Sequence, residues 1–159
     1  AACALLRTSR TTERGAIFIW ARIFFAYGPG QRPDSIIPYA ISRIQQREPV
    51  ILKTPLAAND FIHVDDVASA VRVMLERCDS SEVLNIGSGV STPVRSVMQR
   101  LHELLGREFP TAQPSTSPTA ESPGFWADIS RLRSHGWSPG ITIDEGLVKL
   151  AKGAKGYEA

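Results

Sequence analysis

Cysteine is scarce: the 159 residues hold two, Cys3 and Cys78, far apart and outside any Cys-x-x-Cys pattern. That usage indicates neither a disulfide framework nor a structural zinc site, and a reducing cytoplasm fits it best. Long apolar runs are missing as well. Nothing approaches the roughly 18–20 residues that span a bilayer, and the first residues show no basic stretch leading into an apolar core and a cleavage site. Charge of one sign is also lacking, since 18 basic against 16 acidic side chains leave +2 without a block of like charges. Neither nucleic acid nor a membrane surface is therefore suggested as a partner. There is no internal repeat of twenty or more residues and no Gly-x-Ser-x-Gly elbow of the hydrolase type.

What is present suffices for one globular unit with a core, at 43% hydrophobic residues. Residues 1–14 read as a helix already under way, because strong helix formers open the chain with no capping Ser, Thr, Asp or Asn before them. The chain is accordingly expected to begin inside an element. Residues 16–25 form an apolar run rich in aromatic and branched side chains, which predicts one strand buried on both faces, as in parallel sheets. Tyr27-Gly28-Pro29-Gly30 breaks it. Asp34 is then expected to cap a helix carrying Ile36, Ile37, Ala40, Ile41 and Ile44 at helical spacing, with Pro38 in its first turn.

A short strand Val50-Ile51-Leu52 is expected next, followed by a strand Phe61–Val64 that runs into a helix opened by Asp65 and Asp66. Val83–Ile86 repeats the pattern, its glycine turn leading to Thr92 and Pro93 as cap and first residue of a helix closing at Gly106. Residues 110–124, dense in Pro, Ser and Thr, predict a surface loop with room for one short strand. Asp128 should cap a short helix stopped by Gly136, and Thr142 with Glu145 has capping-box spacing for a last helix to about Gly153. Alternating strands and helices give an α/β class, yet with few strands for a free-standing sheet.

Chemistry is sparse. Gly87-Ser88-Gly89-Val90-Ser91-Thr92 follows a strand and opens a helix, as a dinucleotide fingerprint does, but Thr92 fills the place of the third glycine and no acidic residue ends a second strand about twenty positions on. It reads as a tight structural turn. His63 beside Asp65 and Asp66 admits a metal or His-carboxylate reading, while helix capping with a bond from His63 to a nearby carbonyl is the simpler account, since no second His or Cys lies at ligand spacing. Tyr39 and Arg43 have Tyr-x-x-x-basic spacing on a helix remote from any nucleotide turn, and Trp20, Trp126 and Trp137 read as packing residues.

Taken in order, Arg22–Gly30, Ser35-Ile36-Ile37-Pro38, Asn59–Ala68 and Asn85-Ile86-Gly87-Ser88-Gly89 resemble successive signatures of the extended short-chain dehydrogenase/reductase family, the NAD-dependent nucleotide-sugar epimerases and dehydratases. Ala127-Asp128-Ile129-Ser130 and Gly136-Trp137-Ser138-Pro139 resemble its closing segment. The resemblance implies the carboxyl-terminal half of such an enzyme: residues 1–30 and 60–106 as the last part of a Rossmann-type parallel sheet, residues 31–59 and 107–159 as the smaller substrate-binding subdomain, all within a single truncated unit 1–159. Family members use NAD or NADP and a tyrosine base activated by lysine. By resemblance the glycine-rich cofactor loop and the Tyr-x-x-x-Lys pair belong upstream of Ala1, so this chain is expected to hold no catalytic residue and not to bind the cofactor alone.

The resemblance further implies that Ile23 and Phe24 border the nicotinamide, that Phe25, Ser35, Ile36 and Asn59 face the sugar-diphosphate, and that Ile51 and Leu52 face the nucleotide base. Phe25 stands where the family usually has Asn, Asn59 where it has Arg, and Pro118-Thr119-Ala120-Glu121 where it has Arg-Pro-Gly-Asp. Two guanidinium forks suited to phosphate are thereby absent, which weakens the expected grip on a nucleotide-diphosphate sugar. A homo-oligomer joined through residues 1–14 is expected. The alternative is a noncatalytic binding or oligomerisation module derived from the same fold.

Overall fold

The computed structural model describes residues 17–52, 54, 57–110 and 124–155. The helix expected at 1–14, with its proposed interface, and most of the Pro/Ser/Thr-rich segment lie outside the described residues. Five helices and six strands alternate along the described chain, in the order β1 (Ile19–Ile23), β2 (Phe25–Tyr27), α1 (Ile36–Gln45), β3 (Ala58–Asn59), β4 (Phe61–His63), α2 (Val64–Arg77), β5 (Glu82–Ile86), β6 (Thr92–Pro93), α3 (Val94–Leu104), α4 (Ser130–Ser134) and α5 (Ile143–Lys155). This is the α/β architecture with parallel strands that the alternation predicts: β1 runs parallel to β5 with Ile19 opposite Glu82, and β2 parallel to β4 with Phe25 opposite Phe61. A short antiparallel pair joins β3 to β6.

The expected single strand over 16–25 is corrected to two. Phe24 donates its N–H to the Ile86 carbonyl at 2.9 Å, whereas Phe25 donates to the Asp60 carbonyl at 3.0 Å, so the chain changes partner strands at that peptide. Nor is β1 buried on both faces, because among the described residues it pairs with β5 alone, and Ile23 is 50% exposed. Val50–Leu52 is not a strand either: the Ile51 N–H goes to the Tyr39 hydroxyl at 3.3 Å, and Leu52 makes only an isolated bridge.

Helix starts differ by one or two residues from expectation. Ser35, in extended conformation, takes the cap position of α1, while Asp34 stays exposed beside Arg32. Thr92 and Pro93 are spent on pairing with Asn59 and Ala58, which delays α3 to Val94. The capping box holds as expected: Thr142 N–H donates to Glu145 Oε2 at 2.8 Å and Glu145 N–H to Thr142 Oγ1 at 3.3 Å. From there α5 runs two residues past Gly153, to Lys155.

Two apolar clusters hold these layers together. In the first, α1, α3 and α5 close over β2 and β4 through Ile37, Ile44, Tyr27, Phe61, Leu101 and Leu147. In the second, Leu84 and Ile86 of β5 and Ile62 of β4 meet Met74 of α2, Leu132 of α4 and Trp137. Each fully buried aliphatic side chain contributes about 1.5–3 kcal/mol over its exposed state. Trp137 packs as expected and donates Nε1–H to Ser69 Oγ at 2.8 Å; Trp126 does not, being 57% exposed where the chain passes the sheet edge. Among the described residues no helix is long and apolar enough to cross a membrane.

Candidate functional site

Ligands of open α/β sheets sit beyond the carboxyl ends of the strands, where helices leave a crevice. At the end of β1 lies an open cleft of about 360 Å³, walled by Arg22, Ile23, Phe24, Phe25 and Phe125. Its wall is aromatic: Phe125 stands 5.9 Å from Phe24 and 6.1 Å from Phe25, centroid to centroid, and Phe25 stands 6.0 Å from Phe61, all tilted. Phe25 and Phe125 are exposed, so the rings present an uncovered apolar surface with one guanidinium, Arg22, at its margin.

The wall is held from behind by a side chain that sequence reasoning passed over. Asp60, between β3 and β4, has no exposed surface and accepts four hydrogen bonds. Its Oδ1 takes Ser88 N–H and Ser88 Oγ–H, both at 2.6 Å; its Oδ2 takes Gly89 N–H and Ala127 N–H, both at 2.9 Å. The amide nest of the Gly87–Gly89 turn is thus filled by the protein's own carboxylate rather than open to a phosphate. Close approach is why position 87 has no side chain, since a Cβ there would lie 2.5 Å from Ala127 Cβ and 2.6 Å from Asp60 Oδ2. Gly89 supplies the φ of +77° that closes the turn.

A second buried carboxylate does similar work. Asp66, in the first turn of α2, accepts Gly140 N–H at 3.0 Å and Ile141 N–H at 2.9 Å, fixing the approach to α5. His63 is buried at the cap of α2, where its Nδ1 accepts the Asp65 N–H at 3.2 Å, and not bonded to a carbonyl as expected. Its ring meets Tyr27 edge-on at 5.3 Å. Burial first, then the Asp66 and Glu145 carboxylates, push the Tyr27 phenol well above the ordinary tyrosine range, the opposite of what a tyrosine base requires. Tyr39 and Arg43 are likewise committed locally, to Ile51 N–H and to Glu48 with the Pro49 carbonyl.

Of the residues singled out by resemblance, Ile23, Phe24 and Phe25 come together in the cleft, and Asn59 reaches its edge through a bridge to Phe125. Ser35 sits at the α1 cap and Ile36 packs partly into the first core. Ile51 faces solvent, while Leu52 is 4% exposed and belongs to that core, which leaves it little surface for a base. Phe125 was missed, although a pair of large aromatics, Phe125-Trp126, directly after a Pro-Gly step is an unusual thing for a polar loop to carry.

Residues 1–87 match the model of the NAD dependent epimerase/dehydratase family. The chain belongs to that family. Among curated members, it is 30% identical over 131 residues to GDP-L-fucose synthase 1 of Arabidopsis thaliana, covering 76% of this chain and 40% of that protein. It is also 30% identical over 137 residues to UDP-glucuronate 4-epimerase of Thermodesulfobacterium geofontis, covering 84% and 42%. Of the solved structures, RMD from Pseudomonas aeruginosa complexed with NADPH superposes with a TM-score of 0.85 at 27% identity, over 99% of this chain and 54% of that one. UDP-glucose 4-epimerase from Thermotoga maritima gives 0.86 at 23% identity, over 99% and 52%. The chain therefore spans about two-fifths of these curated relatives and about half of the solved chains.

Toward the family's cofactor, Ile23 and Phe24 offer an apolar face to a flat ring, whereas the amides of the Gly87–Gly89 turn are already spent on Asp60 and are not open to a pyrophosphate. Cys78 gives no nucleophile either. Burial and the neighbouring Glu82 push its thiol up to about 11, which keeps it protonated near neutrality.

Proposed function

We propose that this chain supplies the carboxyl-terminal, substrate-facing part of an NAD-dependent nucleotide-sugar epimerase or dehydratase and does not carry out hydride chemistry alone. The observation that supports this reading most is the aromatic cleft at the end of β1, which gathers Ile23, Phe24 and Phe25, with Asn59 bridged to Phe125 at its edge, while the fold's glycine turn is closed by Asp60. A ligand ring stacks on such a wall, and Arg22 lines the cleft as a cation for a phosphate. Hydride transfer needs a dinucleotide cradle and a base of lowered pKa; the sequence contains neither Gly-x-Gly-x-x-Gly nor Tyr-x-x-x-Lys, and Tyr27 is shifted the wrong way.

The test is turnover by the purified chain with NAD or NADP and a panel of nucleoside-diphosphate sugars. Product formation overturns the noncatalytic half of the reading. Binding is followed by melting temperature: a nucleotide sugar at a hundredfold its Kd adds about 2.7 kcal/mol of stability, and no shift at millimolar ligand counts against a surviving pocket.

One observation favours a second reading, that of a noncatalytic binding or oligomerisation module. Among the described residues the outer edge of β1 pairs with no strand, and Ile23, Phe25, Phe125 and Trp126 leave apolar surface uncovered beside it. A solution mass equal to one chain across micromolar concentrations would sink that reading.

A further inference from the structure

At the opposite end of the parallel pair from the cleft, three side chains from three separate elements converge. Cys78 follows the last turn of α2, Glu82 opens β5 and His135 follows the last turn of α4. Their sulfur, carboxylate oxygen and imidazole nitrogen all lie within 4.8 Å of one another, and all three residues are half-buried. We infer that Cys78, Glu82 and His135 form a site for a single divalent transition-metal ion, zinc by the class of its ligands.

The donor set argues for zinc over magnesium or calcium. Thiolate and imidazole are the borderline-soft ligands that zinc takes in tetrahedral sites, whereas the hard cations require oxygen throughout. Bond lengths of about 2.0–2.3 Å to a tetrahedral ion place its ligand atoms roughly 3.3–3.6 Å apart, so rotamer shifts on the order of an ångström bring the wider spacings in and open the 2.8 Å contact between His135 and Glu82. The charges match as well. Binding displaces the Cys78 proton, and the resulting thiolate, a carboxylate and a neutral imidazole sum to −2, which the ion neutralises.

The plain alternative is a Glu82 carboxylate that accepts from the Cys78 thiol and pairs with the His135 imidazole. His135 Nε2 does stand 2.8 Å from Glu82 Oε1, yet that oxygen is buried and makes no hydrogen bond, so the contact is close without the alignment a stable pair would have. A metal ion resolves the misfit, because it binds the lone pairs of both atoms where a proton has to lie between them. Arg77 provides the outer support expected of such a site: its Nη1–H donates to the His135 carbonyl at 2.9 Å and fixes the backbone that carries the imidazole. The ion would tie the carboxyl ends of α2 and α4 to the start of β5, three elements of the second core.

Residue order hides the site. Cys78 and Glu82 are four apart across a helix end, and His135 lies 53 positions further on, so no ligand motif appears in the sequence.

The test titrates the full chain, stripped of metal by chelator, with Zn²⁺ and then with Co²⁺ alone. The expected result is one equivalent per chain, with a thiolate-to-cobalt charge-transfer band, a raised melting temperature with zinc, and protection of Cys78 from alkylation read by mass spectrometry. Cys78→Ser and His135→Ala should each weaken binding at least about tenfold, the lower bound for losing a group that shapes a metal site. Cys3→Ser should leave it unchanged. Absence of the charge-transfer band in the unmutated chain, or alkylation of Cys78 at the same rate with and without zinc, overturns the inference. So does equal binding by Cys78→Ser. The alkylation measurement uses the unmutated chain and decides the matter even where a variant does not fold.

Discussion

Replacing Asp60 by Asn changes one atom of the side chain that ties the glycine turn to the cleft wall. The carboxylate accepts four donors, two on each oxygen, and three of them are backbone or hydroxyl groups of the Ser88–Gly89 turn. Asn keeps one acceptor oxygen and turns an NH₂ toward the other pair. If the retained oxygen serves Ser88, the Gly89 and Ala127 amides face a donor and lose their acceptor, the second of them fully buried. Each buried group left unpaired costs about 1–3 kcal/mol, so Asp60→Asn is expected to destabilise by about 3 kcal/mol.

At about 2–4 °C per kcal/mol for a chain of this size, that is a fall in melting temperature of roughly 6–12 °C. Asp60→Ala removes all four acceptor contacts and should cost at least about 1 kcal/mol more. Urea unfolding followed by circular dichroism gives both numbers, with the slope checked for constancy so that the change is one of stability. An Asn variant within about 0.5 kcal/mol of the parent, or an Ala variant more stable than the Asn one, refutes the view that this carboxylate is the turn's anion.

Four further outcomes are expected. Gly87→Ala should cost about 1–3 kcal/mol by chemical denaturation, because its Cβ would fall 2.5 Å from that of Ala127. Leu132→Ala, at a position with no exposed surface in the second core, should cost about 2–5 kcal/mol. Hydrogen bonds from Thr142 hold the Glu145 carboxyl below its ordinary range; the folded state thus prefers the charged form, and that contribution is present above the unfolded value and disappears as pH falls through the folded one. Glu145→Gln should accordingly flatten the acid side of the stability profile. Tyr27 is shifted upward, so the folded state prefers the neutral phenol, and stability should fall as pH rises past the unfolded value near 10; Tyr27→Phe removes that alkaline loss in the pH profile.

Much of the fold was readable because its signals are local. The Thr142–Glu145 box, the carboxylates opening α2 and the helical spacing of Ile37, Ala40 and Ile44 each act within a turn or two of chain. What escaped is non-local. Nothing in the run 16–25 marks Phe24 as the residue where one strand partner is exchanged for another, since the Ile86 and Asp60 carbonyls that cause it lie 62 and 36 positions away. Val50–Leu52 has strand-forming residues but meets a tyrosine hydroxyl instead of a neighbouring strand. The site divides in the same way. Ile23, Phe24 and Phe25 of the cleft are consecutive in the sequence and are singled out by resemblance, whereas Phe125 and Asp60 come to the cleft and its backing only when segments 60, 88 and 125–127 are brought together.

That division separates two kinds of damage to the cleft. Phe125 is 57% exposed, so Phe125→Ala removes a wall of the cleft while costing under about 1 kcal/mol of stability, as exposed positions generally do. Asp60 never reaches the cleft, yet it holds the Ala127 amide two residues from Phe125 and so decides where that ring stands. If the aromatic wall binds the ligand, Phe125→Ala weakens a nucleotide sugar by roughly 0.5–1.5 kcal/mol at nearly unchanged melting temperature, whereas Asp60→Asn lowers both together. Calorimetric binding and thermal unfolding on the two variants make the comparison. Loss of affinity in Asp60→Asn with none in Phe125→Ala would place the ligand elsewhere, against the glycine turn itself.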